Sequence, residues 1–166
     1  MNKQERIRKV IHKYLHARRR LFELEEEYPN ELSGNDNIIG RIGEYIAIRY
    51  LESKKRTAIK NINKSQKGYD LLDTNGCRIS VKIITAENKM GRTTRLKQPW
   101  DEVILIVLDD EYKISKIGLL QKSEFLKSLN DNKNRSNNPY LFRHSLGEKG
   151  LFSIYGVVDK NIRDIL

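Results

Sequence analysis

The chain has 166 residues, of which 38% are hydrophobic and 33% carry a charge, a balance that excludes a disordered tail and a fibre. Its length suits one domain with its own core and is short for two. No apolar run approaches the roughly 20 residues that cross a bilayer. The longest such run, Val103 to Leu108, has the length of a strand. The single cysteine, Cys77, excludes a disulfide framework and a cysteine zinc site, and it indicates a reducing, cytoplasmic setting.

The charge balance points to a polyanionic partner. The chain carries 32 Lys and Arg against 22 Asp and Glu, a formal net charge of +10 with the histidines neutral. Such an excess favours nucleic acid first and an anionic membrane second. The alternative is that the charge serves solubility in a basic regulatory protein that contacts another protein.

One domain is predicted over residues 1–166, in three parts: a basic N-terminal helix and linker (1–36), a core (37–119), and a C-terminal helix, loop and strand (120–166). Apolar residues recur at helical spacing over 5–27 and over 38–54, which predicts two helices. The first is basic in its N-terminal part, and its exposed face is a candidate homodimer surface. The second is apolar on most sides, so we expect it to be largely buried.

The rest of the chain predicts a sheet with one further helix. Short runs rich in β-branched residues, bounded by turn residues, are typical of strands. The predicted elements are strands over 57–62, 69–73, 77–84, 103–108 and 112–119, a helix over 123–129, an Asn-rich loop over 130–138, and a last strand over 151–158 with Gly156 as a bulge.

The hairpin around residues 74–76 has two alternative registers. A two-residue Asn-Gly turn would place Asp70 opposite Val81, whereas a three-residue loop with its glycine in the left-handed conformation would place Asp70 opposite Ser80. The three-residue loop is preferred because it gathers the apolar side chains of both strands on one face, which we expect to be the core side. Asp70, Ser80 and Lys82 then share the other face, within side-chain reach of one another.

Glu44 lies on the second predicted helix among apolar neighbours. An unpaired buried charge costs several kcal/mol, so Glu44 requires a partner, which a metal ion or a lysine would supply. The alternative is a position at the edge of the helix, with an ion pair to Arg41 or Lys82 and no catalytic role.

Three segments resemble the PD-(D/E)XK, or restriction-endonuclease-like, nuclease superfamily: Gly43-Glu44, Gly68-Tyr69-Asp70 and Arg78-Ile79-Ser80-Val81-Lys82. The similarity covers about residues 38–118 and includes the order helix, strand, strand with Asp, strand with Lys, and a following hydrophobic strand. The resemblance implies an α/β fold with a restriction-endonuclease-like core, a mixed β-sheet flanked by helices, here with an extra N-terminal helix. It also implies a metal-dependent endonuclease that hydrolyses phosphodiester bonds in DNA, with a restriction or defence role.

Carried over residue by residue, the resemblance assigns Asp70 and Glu44 as metal ligands, together with the carbonyl of Val81. Lys82 would help to activate the attacking water, and Ser80 occupies the remaining position of the catalytic motif. The implied cofactor is Mg²⁺, for which Mn²⁺ can substitute, because Mg²⁺ prefers carboxylate and water oxygens.

Ser80 departs from the superfamily pattern, which has Glu, Asp or Gln two positions before the lysine. One explanation is a Ser-x-Lys variant whose missing carboxylate comes from Glu44, with Glu87 as a weaker candidate. The second is a degenerate site in a catalytically inactive nucleic-acid-binding module on the same fold. A substitution introduced to disarm the enzyme is a third.

Basic residues near the motif are the candidate nucleic-acid contacts. Residues 86–99 read as a mobile basic loop beside the site. DNA is the expected partner, RNA is less favoured, and no membrane partner is expected. The candidate contacts to DNA phosphates are Arg78, Lys89, Arg92, Arg95 and Lys97.

Overall fold

The computed structural model describes residues 3–32, 37–61, 68–88 and 90–160, together with residues 162 and 165. The helices are α1 (Lys3–Glu27), α2 (Pro29–Leu32), α3 (Ile38–Ser53), α4 (Lys122–Asp131) and α5 (Leu151–Tyr155), with a short 3₁₀ helix at Arg143–Leu146. The strands are β1 (Ala58–Lys60), β2 (Leu71–Asp73), β3 (Arg78–Ile84), β4 (Glu102–Leu108), β5 (Ile114–Gln121) and β6 (Val157–Asp159).

The strands form one mixed sheet in the order β1-β2-β3-β4-β5-β6. All neighbouring pairs are antiparallel except β3 and β4, which are parallel. The parallel pair requires the long connection over residues 85–101, because parallel strands cannot be joined by a tight turn. The predicted fold class, an α/β fold with a mixed sheet flanked by helices, is confirmed.

The hairpin between β2 and β3 has the predicted three-residue loop. Leu71 pairs with Ile79 and Leu72 with Arg78, a register that sets Asp70 opposite Ser80. Gly76 has a backbone φ of +79°, a conformation that residues other than glycine rarely adopt. The register prediction is therefore confirmed, and with it the placement of Asp70.

Helix α3 packs closely on the sheet at β3. Asn37 caps the helix by accepting the Gly40 N–H at 3.1 Å. A Cβ at Gly43 would lie 3.2 Å from Cβ of Ile83, so glycine at this position allows the close approach. The next residue, Glu44, is thereby brought to the end of β3.

Both faces of the sheet are buried. One core forms between α3 and the sheet, with Ile46, Leu51, Ile79, Ile104 and Ile106 among its members. The other forms beneath α4 and α5, with Trp100, Val103, Leu105, Phe125 and Phe152 among its members. All seven residues of β4 are buried, as expected of a strand covered on two sides. The expectation of one core-side face was incomplete, because Ile84 on the other face is also fully buried.

The C-terminal segment contradicts the prediction of a strand over 151–158. Residues Leu151–Tyr155 form helix α5, and β6 begins only at Val157. Leu151 and Phe152 are buried in the second core, and the Gly156 N–H closes the helix on the Phe152 carbonyl at 2.9 Å. Burial of one helical face therefore overrides the strand propensity of this segment, and Gly156 ends a helix instead of forming a bulge.

The side chains that the structure describes on helix α1 are mostly exposed, and the helix is joined to α3 through Arg41. The Arg41 guanidinium pairs with Glu25 at 2.6 Å and lies 5.6 Å from the centre of the Phe22 ring. Within the described residues, no helix combines the length and the apolar character needed to cross a membrane.

Candidate functional site

A cleft of about 460 Å³ opens between the start of α3, the strand β3 and the segment 85–94. Its lining includes Glu44, Asp70, Val81 and Lys82, so the structure brings three of the four candidate catalytic side chains to one cavity, whereas Ser80 is not part of its lining. Two features of the fold produce this arrangement. The hairpin register sets Asp70 beside β3, and the close packing at Gly43 brings Glu44 to the same strand.

Asp70 lies just before β2 and is tied to β3. Its Oδ2 accepts the Val81 N–H at 2.6 Å, and Ser80 Oγ donates to the same oxygen at 3.5 Å. Burial raises the pKa of Asp70, while the Val81 N–H, the charge of Lys82 and the Ser80 hydroxyl act to lower it. Loss of hydration dominates, so the Asp70 carboxylate is a poorly solvated charge that a cation in the cleft would stabilise.

Glu44 pairs with a residue that the sequence did not single out. Its Oε2 lies 3.0 Å from Nζ of Lys60, which is on β1 with a side chain only 7% exposed. Burial raises the pKa of Glu44, and the charge and hydrogen bond of Lys60 act to lower it. The alternative pairing of Glu44 with Arg41 or Lys82 is wrong, because neither forms its ion pair and Arg41 is held by α1 and α2.

The burial of Lys60 follows from the pleat of β1. Ala58 and Lys60 are buried, and Ile59 between them is 63% exposed. Because side chains alternate along a strand, packing Ala58 against α3 turns Lys60 to the same side and Ile59 to solvent. The alternation was the available signal for Lys60, but hydrophobicity alone would have placed Ile59 inside.

Lys82 projects into the cleft with few competing contacts. Its Nζ lies 3.4 Å from Oγ1 of Thr94, a weak hydrogen bond. Among the described residues, no carboxylate forms an ion pair with Lys82, although its charge acts on Asp70. An ammonium held loosely beside a carboxylate can turn toward an anionic group that enters the cleft.

Ser80 and Glu87 occupy different parts of the site. Ser80 is buried against Asp70, so its hydroxyl supports that carboxylate instead of replacing one. Glu87 also lines the cleft and accepts hydrogen bonds from Thr85 and from the Tyr112 hydroxyl, which lower the pKa of Glu87. Glu87 is therefore an ionised carboxylate at the rim.

The described residues contain no group of three or more His, Cys, Asp or Glu side chains arranged to hold a metal ion. Two carboxylates, from Asp70 and Glu44, nevertheless face one cleft. Mg²⁺ is commonly held by one or two carboxylates, with waters and substrate phosphates completing its shell. Oxygen donors of this kind fit such an ion, and burial, which raises the pKa of both carboxyls, leaves their ionised forms poorly solvated.

The predicted phosphate contacts are dispersed. Arg78 forms a two-pronged pair with Asp101, both distances being 2.8 Å, and is not part of the cleft lining. Lys89 lies outside the described residues. Arg92 and Arg95 flank two residues that line the cleft, and Lys97 is exposed.

The segment over 91–96 is fixed to the body of the protein and not a mobile loop as predicted. The Thr93 N–H donates to the Leu141 carbonyl at 2.8 Å, and the Leu96 N–H donates to the Pro139 carbonyl at 2.9 Å. The Leu96 side chain is fully buried in the second core. These partners lie 43 to 48 residues downstream, so the pairing was not visible in the local sequence.

No family model matches the chain, and no curated protein matches it. Among solved structures, one titled as the structure of a bacterial homing endonuclease, I-Ssp6803I, is similar to this chain. The sequences are 16% identical, the TM-score is 0.45, and the match covers 72% of this chain and 85% of the other. A similarity at this level does not assign a function.

Proposed function

We propose that this protein is a Mg²⁺-dependent endonuclease that hydrolyses phosphodiester bonds in DNA. The supporting observation is the meeting of Asp70, Glu44 and Lys82 at one cleft, with Asp70 braced by the Val81 N–H. Metal-assisted phosphodiester hydrolysis uses this combination of groups, namely oxygens that can bind a metal and an ammonium beside them.

Asp70 and Glu44 would hold the metal, with the Val81 carbonyl as a further candidate ligand. A bound Mg²⁺ would supply charge neutralisation at the phosphate and a more acidic water. The Lys60 ammonium, 3.0 Å from Glu44, lowers the pKa of Glu44 against the larger effect of burial, which raises it. Lys60 is thus a positioning residue for Glu44.

Lys82 would orient the attacking water and stabilise negative charge that develops on the phosphate. A donor aimed at developing charge contributes about 3 kcal/mol, or roughly a hundredfold in rate. Thr94, which accepts from Lys82 at 3.4 Å, keeps the ammonium over the cleft without neutralising it. The net charge of +10 favours DNA as the substrate, since binding to a polyanion gains from counterion release.

Plasmid cleavage tests this proposal. Supercoiled DNA is incubated with Mg²⁺ or Mn²⁺ and with the parent protein, Asp70→Asn, Lys82→Gln, or the exposed control Lys149→Gln. Asparagine retains the oxygen that accepts the Val81 N–H, so loss of activity would report the missing charge. We expect cleavage by the parent and the control only. Nicking that survives both site substitutions would overturn the assignment.

A second candidate function is nucleic-acid binding without cleavage. It is favoured by Ser80 at the position of a superfamily carboxylate and by Lys60, which already neutralises Glu44. This candidate predicts binding that weakens steeply with salt and no cleavage with either metal. It also predicts no Mg²⁺ binding by titration calorimetry, a measurement that separates it from a slow enzyme.

A further inference from the structure

Two arginines beside the cleft converge on one aromatic ring. The guanidinium carbon of Arg92 lies 4.3 Å from the centre of the Tyr140 ring, and that of Arg95 lies 4.6 Å from the same centre. The two cations are therefore no farther apart than the sum of these distances. Tyr140 follows the Asn-rich loop and is remote in sequence from both arginines.

Hydrogen bonds between two segments, one containing the arginines and one containing Tyr140, hold this arrangement in place. Arg92 forms a β-bridge with Phe142, and the Arg143 N–H donates to the Gly91 carbonyl at 2.9 Å. Arg95 Nη1 donates to the Asn138 carbonyl at 3.5 Å. The ring and the two arginines therefore belong to two paired segments, which limits the entropy lost when they bind a ligand.

The positive charges of Arg92 and Arg95 are not offset by a carboxylate in the part of the chain that the structure describes. Within the described part of the chain, neither Arg92 nor Arg95 forms an ion pair with a carboxylate. The pKa of Tyr140 is lowered by a hydrogen bond from Arg95 and by the charges of both arginines. Cation–π contacts at exposed sites are weak, so the two like charges retain capacity for an anion.

The cluster is adjacent to the proposed catalytic groups. Thr93 and Thr94 lie between the two arginines in sequence, and both line the cleft. Thr94 is also the residue that contacts the Lys82 ammonium. The two arginines therefore flank, along the chain, the part of the cleft wall that contacts Lys82.

We propose that Arg92 and Arg95, both held against the Tyr140 ring, bind the backbone phosphates of DNA next to the cleft, and this inference rests on the proposed function. Planar guanidinium groups bind phosphate oxygens through two parallel hydrogen bonds. Contacts to the backbone do not read sequence, so the cluster serves to fix the DNA strand over the cleft. Tyr140 is a positioning residue, because it acts through the arginines.

The test measures duplex DNA binding by fluorescence anisotropy in EDTA, where no cleavage takes place, over a series of salt concentrations. Each phosphate contact adds about 0.9 to the magnitude of the slope of log K against log salt concentration. We expect Arg92→Gln and Arg95→Gln each to reduce that slope by about 0.9 on any DNA sequence. Lys149→Gln is the matched charge control and should leave the slope less changed than either arginine variant.

The Tyr140 variants separate positioning from folding. Tyr140→Phe keeps the ring that both guanidinium groups contact and loses only the hydrogen bond from Arg95, so it should retain most of the slope, whereas Tyr140→Leu removes the ring and should reduce it. The arginine variants keep the inference testable if Tyr140→Leu does not fold, since circular dichroism identifies that case.

A parent-like slope in both arginine variants overturns this inference, and cleavage by the parent protein would then leave the proposed function standing. Reduced slopes without any cleavage support the phosphate site and reject the nuclease. No binding by the parent rejects both.

Discussion

Replacing Lys60 by methionine perturbs the electrostatics of the cleft with little change in side-chain volume. Methionine keeps the apolar stem and removes the ammonium that lies 3.0 Å from Glu44. Removing one partner of a fully buried pair costs about 3–5 kcal/mol, because the remaining charge is uncompensated. The Glu44 side chain is 23% exposed, so water screens part of the lost attraction. We expect Lys60→Met to lower the free energy of unfolding by about 2 kcal/mol at pH 7.

The effect of Lys60→Met should depend on pH through Glu44. Burial raises the pKa of Glu44 above its ordinary value of 4.5, and removal of Lys60 raises it further. A carboxyl whose folded-state pKa is raised favours folding in its protonated form. That contribution is complete below the unfolded pKa and is lost as the pH rises through the folded pKa. The stability deficit of the variant should therefore shrink as the pH falls from 7 toward 4.5.

Urea unfolding measures this prediction, with the fluorescence of the buried Trp100 as the probe. The double variant Glu44→Gln/Lys60→Met is the control. It removes both charges of the pair, so no buried charge is left without a partner, and it should lose less stability than Lys60→Met alone. Added Mg²⁺ should narrow the deficit at pH 7, because a ligand stabilises the folded state according to its affinity, and the unpaired Glu44 of the variant should bind the ion more tightly than the Lys60-paired Glu44 of the parent. Parent-like stability of Lys60→Met, or a deficit that is independent of pH, would refute the reasoning.

Three further substitutions test the site and its supports. Asp70→Asn should raise the free energy of unfolding at pH 7 in urea titrations, because the raised pKa of Asp70 means that its ionised form disfavours folding there. Its amide oxygen still accepts the Val81 N–H. Lys82→Gln should reduce cleavage about a hundredfold in kinetic assays and change the unfolding midpoint little, because its ammonium makes one weak hydrogen bond and its charge only partly offsets the burial of Asp70. Gly118→Ala should destabilise the protein by about 1–3 kcal/mol in calorimetry, because a Cβ there would lie 2.3 Å from Cδ2 of Leu146.

Each of these predictions has an outcome that contradicts it. Lower stability of Asp70→Asn than of the parent at pH 7 would show that Asp70 is stabilising when ionised. A large fall in the unfolding midpoint of Lys82→Gln would give Lys82 a structural role. A parent-like unfolding temperature for Gly118→Ala would show that β5 and the 3₁₀ helix pack less tightly than the structure indicates.

The placement of Asp70 beside β3 was predictable from the sequence because it depends on local geometry. A strand has a side-chain period of two, and the glycine in the loop 74–76 accepts a backbone conformation closed to other residues. Together these two constraints choose one register, and that register sets Asp70 opposite Ser80. The burial of β4 was predictable for a similar reason, since a continuous apolar run matches a strand covered on both faces.

The partner of Glu44 was decided only by the tertiary structure. The sequence requires some cation near this carboxylate, but Lys60, Arg41 and Lys82 are all basic and local pattern does not choose among them. The choice follows from how α3 settles on β1 and β3, which turns Lys60 inward and leaves Ile59 exposed. The pairing of Tyr140 with Arg92 and Arg95 has the same origin, because it joins segments distant along the chain.

The sequence by itself determined the turn, the alternation of the strands and the requirement for a charge partner, because each is a property of neighbouring residues. The tertiary structure alone decided which lysine meets Glu44, which aromatic ring holds the two arginines, and that residues 151–155 form a helix. Those outcomes depend on the burial of surfaces contributed by several elements at once, a free energy that no single stretch of sequence contains.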